Sequence, residues 1–145
     1  MKPVLVLLFL LTMSLADVFE VLDISKAGMD VQQQKLETVA ENIANLNSTK
    51  TTGGSLYKQK KVIINTDQVS KKPYVARIED KAVSIQKVYD PSNPEADENG
   101  YVTMPDYSLS AEMVDVAVTR RMYDANAAVF NSAKQVAQTL MNLGK

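Results

Sequence analysis

The sequence predicts an α+β chain: long N- and C-terminal helices pairing as a coiled-coil-like hairpin, with a small β-rich insert between them. Three observations carry this. Leu22, Met29, Leu36 and Ile43 recur every seven residues near one end, and Met122, Val129, Val136 and Leu143 do the same near the other. Between them lie short β-type runs separated by turn residues. All five prolines fall outside both periodic stretches, as they must if those stretches are uninterrupted helices. The chain divides into an apolar segment at 1–12, an N-terminal helical arm at 13–52, a β-rich insert at 53–109 and a C-terminal helical arm at 110–145.

Lys2 is the sole charge before Asp17, Val4 to Leu11 is an unbroken apolar run, and Ser14 and Ala16 place small residues before a possible cleavage point. That is the anatomy of a secretory signal peptide. Met13 offers a second reading, a translation start that makes 1–12 a misassigned extension. The apolar run is shorter than the roughly 20 residues needed to cross a bilayer.

From Val18 to Asn47 the pattern is helical, with Val39 and Leu46 filling turns between the heptad positions. Gly28 is the weak point of this arm, since an interior glycine costs about 1 kcal/mol against alanine. It reads either as a helix start or small kink, or as a place where another helix comes close. Asn45-Leu46-Asn47-Ser48-Thr49, followed by Gly53-Gly54, ends the helix, because Asn and Gly tolerate the left-handed backbone that closes helices.

Val62-Ile63-Ile64, Tyr74 to Ile78 and Ala82 to Tyr89 are the β-type runs, and the last two partly alternate apolar with polar. Asp90-Pro91-Ser92-Asn93-Pro94 and Glu98-Asn99-Gly100 are turns. The last helix starts near Ser108 or Ser110, either of which can cap it, and Glu112 and Asp115 suit its positive end. Asn126, Ala133 and Leu140 sit four residues after Met122, Val129 and Val136, and Val116, Tyr123, Phe130 and Ala137 form a second, adjacent row. A helix of about 30 residues is roughly 45 Å long, more than so small an insert covers. The surplus apolar face is expected to pack on other subunits.

Composition excludes several chemistries. The 145 residues carry 16 Lys+Arg against 17 Asp+Glu, and no His, Cys or Trp. There is no thiol nucleophile, Ser-His-Asp triad, disulfide framework or usual zinc site, and a net charge of −1 argues against broad nucleic-acid binding. Glu95, Asp97, Asn99, Gly100 and Asp106 fall at positions 1, 3, 5, 6 and 12 of a calcium loop. The end residues are the wrong way round for an EF-hand, Pro105 intrudes and no helical pattern flanks the loop, so a solvated turn is the simpler reading and a calcium-binding module at 95–106 the alternative. Lys58, Lys60, Lys61, Lys71 and Lys72 read as a solvated strand edge. Asp97 and Glu98 are a carboxylate pair with nothing to distinguish it from a charged loop.

Three stretches go further. They are Met13-Ser14-Leu15-Ala16-Asp17-Val18-Phe19 through Met29, Glu41-Asn42-Ile43-Ala44-Asn45-Leu46-Asn47-Ser48-Thr49-Lys50-Thr51, and Val88-Tyr89-Asp90-Pro91-Ser92-Asn93-Pro94-Glu95-Ala96-Asp97-Glu98-Asn99-Gly100-Tyr101-Val102. With Glu112 to Asp115, Arg120 to Asn126 and Phe130 to Lys134 in the last helix, they make the chain from Met13 to Lys145 resemble the bacterial flagellar rod and hook axial protein family, in its proximal-rod branch. The resemblance implies a structural subunit, not an enzyme. Such a subunit is exported unfolded through the type III channel and polymerises in the periplasm, with its terminal helices lining the tube and its insert outside. It implies as partners further copies of the chain, other rod proteins and basal-body export gate and ring components. It implies no cofactor, metal, nucleic acid, small-molecule substrate or membrane span. Asn42, Ile43, Ala44, Asn45, Tyr89, Asp90, Pro91, Asn99, Gly100 and Tyr101 become candidate assembly-motif residues, and Leu22, Met29, Leu36, Ile43, Met122, Val129, Val136, Leu140 and Leu143 candidate helix-packing residues. Two departures stand out: Gly53-Gly54-Ser55-Leu56-Tyr57 replaces a shorter Gly-Gly-Pro-Tyr link, and rod proteins ordinarily carry no cleaved secretory signal.

Overall fold

The computed structural model describes residues 2–49, 55–82 and 84–143. The side chains of the first sixteen residues, the Gly53-Gly54 turn, Val83 and the packing of Leu143 lie outside that description. The elements run α1 (Lys2–Ala44), β1 (Lys60–Thr66), β2 (Pro73–Asp80), β3 (Ser84–Tyr89), β4 (Tyr101–Asp106) and α2 (Leu109–Leu143). Two long helices thus flank a small β insert.

The ends of the helices follow from their own sequence. At the end of α1 the Asn45 amide donates to the Glu41 carbonyl at 2.9 Å, and the Ser48 hydroxyl donates to Asn45 Oδ1 at 3.2 Å. Beyond the helical bond from the Asn45 N–H to the Glu41 carbonyl, the backbone tightens into three-residue turns, Leu46 N–H to the Ile43 carbonyl at 3.2 Å and Ser48 N–H to the Asn45 carbonyl at 3.1 Å, and the two side-chain bonds brace that end. At the start of α2, Ser108 is the cap: its hydroxyl accepts from the Ala111 N–H at 3.4 Å and its carbonyl from the Glu112 N–H at 3.2 Å.

The insert consists of two two-stranded sheets, β1 with β2 and β3 with β4. Asp67 closes the first by accepting the N–H groups of Val69 and Ser70 and the Ser70 hydroxyl. In the second, antiparallel sheet, Val88 faces Val102, Gln86 faces Met104 and Tyr89 faces Tyr101. The Asp90 N–H donates to the Gly100 carbonyl at 2.9 Å. Alternation from there puts the Ile85–Pro105 pair where no ladder bond forms, so the missing N–H of Pro105 costs nothing. Strand β4 did not show in the sequence, because its residues overlap the acidic turn and include Pro105. Val102, 1 % exposed, and half-buried Met104 make its inward face.

The chain forms two compact units. The first holds residues 1–33, 64–74 and 121–145, the second 34–63 and 75–120. In the first, α2 turns Tyr123, Asn126, Phe130, Ala133, Ala137 and Leu140 inward, buried or half-buried at alternating spacings of three and four. Ser25, Gly28, Val31 and Gln32 are the buried positions of α1. A Cβ on Gly28 would lie 2.8–2.9 Å from three atoms of the Asn126 side chain. Gly28 therefore marks a close approach of the two helices, which decides between its two sequence readings. In the second unit the buried positions include Thr38, Val39, Asn42, Tyr57, Val102, Glu112 and Thr119. Ser25 and Thr38 return their hydroxyls to the carbonyls of Val21 and Gln34, whereas Gln32 Oε1 and Thr119 Oγ1 are buried without a partner among the described residues.

Candidate functional site

Two features stand out, an apolar row on α2 and a buried polar cluster around Asn42. The row consists of Val114 and Val118 in the second unit and Met122, Val129 and Val136 in the first, each 47–61 % exposed, whereas Met113, 59 % exposed, falls on a different side of the helix. Side chains of this kind are individually ordinary on a surface. In a row at helical spacing they form a stripe. The sequence-derived packing positions Met122, Val129 and Val136 thus lie on this outer stripe, while Leu140 turns inward and is half-buried. On α1, Leu22, Met29, Leu36 and Ile43 are half-buried. The line facing inward is instead the one through Ser25, Gly28 and Gln32 in the first unit and Val39 and Asn42 in the second. The reason is steric. Gly28 lets the helices approach at Asn126, and Ala133 and Ala137 are the small, buried positions of an inward line that also holds half-buried Tyr123 and Phe130.

In the second unit, Asn42 is 2 % exposed and uses its whole side chain inside the chain. Its Oδ1 accepts from the Lys60 N–H at 2.8 Å and from the Tyr57 hydroxyl at 2.9 Å. Its Nδ2 donates to the Lys60 carbonyl at 2.9 Å and to Glu112 Oε2 at 3.3 Å. The Asn42 carbonyl accepts from the Tyr107 hydroxyl at 2.6 Å. Glu112, also 2 % exposed, takes a second donor from the Gln59 amide on Oε1. One residue of α1 therefore joins the start of β1, the link before it, the link after β4 and the first turns of α2. Burial, followed by the nearby carboxylates, chiefly Glu41, raises the Tyr57 hydroxyl far above its ordinary value. Burial and then Glu112 push Tyr107 up to about 12. All these groups are donors to, or acceptors from, fixed partners, so the arrangement is suited to holding elements together.

The other assembly-motif candidates are more dispersed. Ile43 and Asn45 are half-buried and Ala44 is exposed. Tyr89 and Tyr101 face each other edge to face, with ring centroids 5.3 Å apart, and are 65 % and 42 % exposed. Gly100 closes the turn beneath them at φ +80°, with Tyr89 and Pro91 against the space a Cβ would need. Asp90 and Asn93 carry local turn bonds, and Pro91 and Asn99 are exposed. Residues 101–106 of the calcium-loop window are strand β4. Asp97 Oδ1 is engaged by the N–H groups of Asn99 and Tyr101, which lowers its pKa below the ordinary carboxylate value. Among the described residues no group of three or more acidic side chains could hold a metal ion, and no helix is long and apolar enough to cross a membrane. Of the lysine cluster, Lys60 pairs with Glu41 and Lys72 with Asp23.

Sequence reasoning reached Asn42 but missed Tyr57, Gln59, Tyr107 and Glu112 as its partners. They lie up to 70 residues away, and no periodicity links them.

Comparison with known proteins gives a consistent picture. The family model described as "Flagella basal body rod protein" matches residues 22–50, which include Asn42. The chain is similar to the flagellar basal-body rod protein FlgC of Aquifex aeolicus, 36 % identical over 123 residues that span 83 % of this chain and 92 % of the relative. It is similar to the FlgC of Salmonella typhimurium, 33 % identical over 137 residues, covering 92 % of this chain and 100 % of the relative. The FlgC of Borreliella burgdorferi is 27 % identical over 144 residues, covering 85 % and 95 % respectively.

Proposed function

The chain belongs to the FlgC family of flagellar basal-body rod proteins, and from that premise we propose that it polymerises through its terminal helices into the periplasmic part of the rod. The family is a structural one, and the chain is a structural subunit of the basal-body rod. Further copies of the chain and other rod proteins cover its helices, and the rod they build meets the export gate and ring at its base. It serves as drive shaft and as the wall of the export channel, with the β-rich insert on the outside.

The observation that carries this reading is the outer stripe of α2. Five apolar side chains at helical spacing, Val114, Val118, Met122, Val129 and Val136, remain about half exposed. Burying such a stripe stabilises by about 25 cal/mol per Å² of apolar surface removed from water, and a neighbouring helix is the natural cover. The absence of cysteine also suits passage as an unfolded chain, since no disulfide can form on the way.

The test is a strain lacking the chromosomal copy and complemented with a chain ending before Leu140. Rod assembly should fail in imaged basal bodies while the truncated subunit is still exported. Normal motility would refute the proposal.

A further inference from the structure

The helix contact at Asn42 and Glu112 is polar where a helix pair normally places apolar side chains. By itself it would be a poor contact. An amide and a carboxylate, each 2 % exposed, would share one 3.3 Å bond and leave their other sites unfilled, which is costly in a buried setting. The remaining sites are filled by groups of the insert. Tyr57 and the Lys60 N–H fill Asn42 Oδ1, the Lys60 carbonyl takes the other amide proton, and Gln59 supplies Glu112. Tyr107, just before α2, takes the Asn42 carbonyl.

We propose that this cluster is a latch that makes pairing of α1 with α2 in this unit conditional on docking of the insert, so that Asn42 acts inside the subunit and not at its contacts with neighbours. Asn42 has no exposed atom group left to offer a second molecule. The helices close in this register when Tyr57, Gln59 and Lys60 are in place. An undocked insert leaves the junction open, because closure then buries an unsatisfied amide and carboxylate. The device thus withholds a finished helix pair from a chain whose insert has not folded.

Amide hydrogen exchange on the full-length purified chain tests this. In a Tyr57→Phe/Gln59→Leu variant, which alters the insert side only, exchange should rise by about tenfold or more at Lys60 and also at Val39 to Ile43 and in the first turns of α2. In an Asn42→Leu/Glu112→Leu variant, helix amides should stay protected while Lys60 loses protection, because the helices no longer need the insert. Combining all four changes should restore protection in both helices. The latch is overturned if the insert-side variant leaves Val39 to Ile43 at the unmodified rate. It is equally overturned if that variant loses protection throughout and the added leucines do not restore it.

Discussion

Replacing Gly28 with alanine sets a gain against a loss, and the structure says which prevails. In an exposed helix interior the change stabilises by about 1 kcal/mol, because glycine is the costlier residue to order. Here the new methyl carbon would sit 2.8 Å from Asn126 Nδ2 and 2.9 Å from both Cγ and Oδ1. All three are well inside ordinary contact distance, and Asn126 is half-buried, so it has limited room to swing away. Overpacking of this kind costs about 1–3 kcal/mol. Gly28→Ala should therefore be destabilising by up to about 2 kcal/mol after the propensity gain is subtracted. Asn126→Ala removes the obstructing atoms, so the double variant should recover the propensity gain. The two changes should then be non-additive by about 1–3 kcal/mol, well beyond the scatter of independent sites. Urea unfolding followed by circular dichroism measures all four corners of the cycle. The close-approach argument fails if Gly28→Ala alone is stabilised by about 1 kcal/mol and the two changes add.

Two further outcomes follow from the turn and the buried phenols. Gly100→Ala must hold a side chain at φ +80° with its Cβ 2.9 Å from the Tyr89 ring and 3.2 Å from Pro91, so it should weaken the β3–β4 hairpin by about 2 kcal/mol; unchanged exchange at the Asp90 N–H, which donates to the Gly100 carbonyl, would refute this. Tyr57 and Tyr107 are both raised above 10.0 in the folded chain. Their contribution to stability is then complete below about pH 10, the unfolded value, and is lost as pH rises through the folded value, about 12 for Tyr107. Phenolate absorbance should show a late component that disappears in a Tyr57→Phe/Tyr107→Phe variant, and a variant titration of unchanged shape would contradict the assignment.

Much of the fold was readable because it is local. Asn45 and Ser48 stop α1 by bonding to residues within four positions, and Ser108 caps α2 over the same range. Both signals are visible in a short window of sequence. Strand β4 was not readable, since its alternation is short and interrupted by Pro105, and its status rests on pairing with β3. The site was half readable. Asn42 was found by resemblance, whereas its partners Tyr57, Gln59, Tyr107 and Glu112 are chosen by how the chain returns on itself.

The sequence by itself determined that this protein has two long amphipathic helices and a β-rich insert, with more apolar helix surface than so small a chain can bury. Periodicity records these facts, because side-chain direction repeats with the backbone. The tertiary structure alone decided which stripe of each wide apolar face turns inward. A seven-residue repeat is compatible with several rotations of the helix, and the choice is made by steric fit. Gly28 lying under Asn126, and the small Ala133 and Ala137 beside their neighbours, set the rotation that leaves Met122, Val129 and Val136 outside.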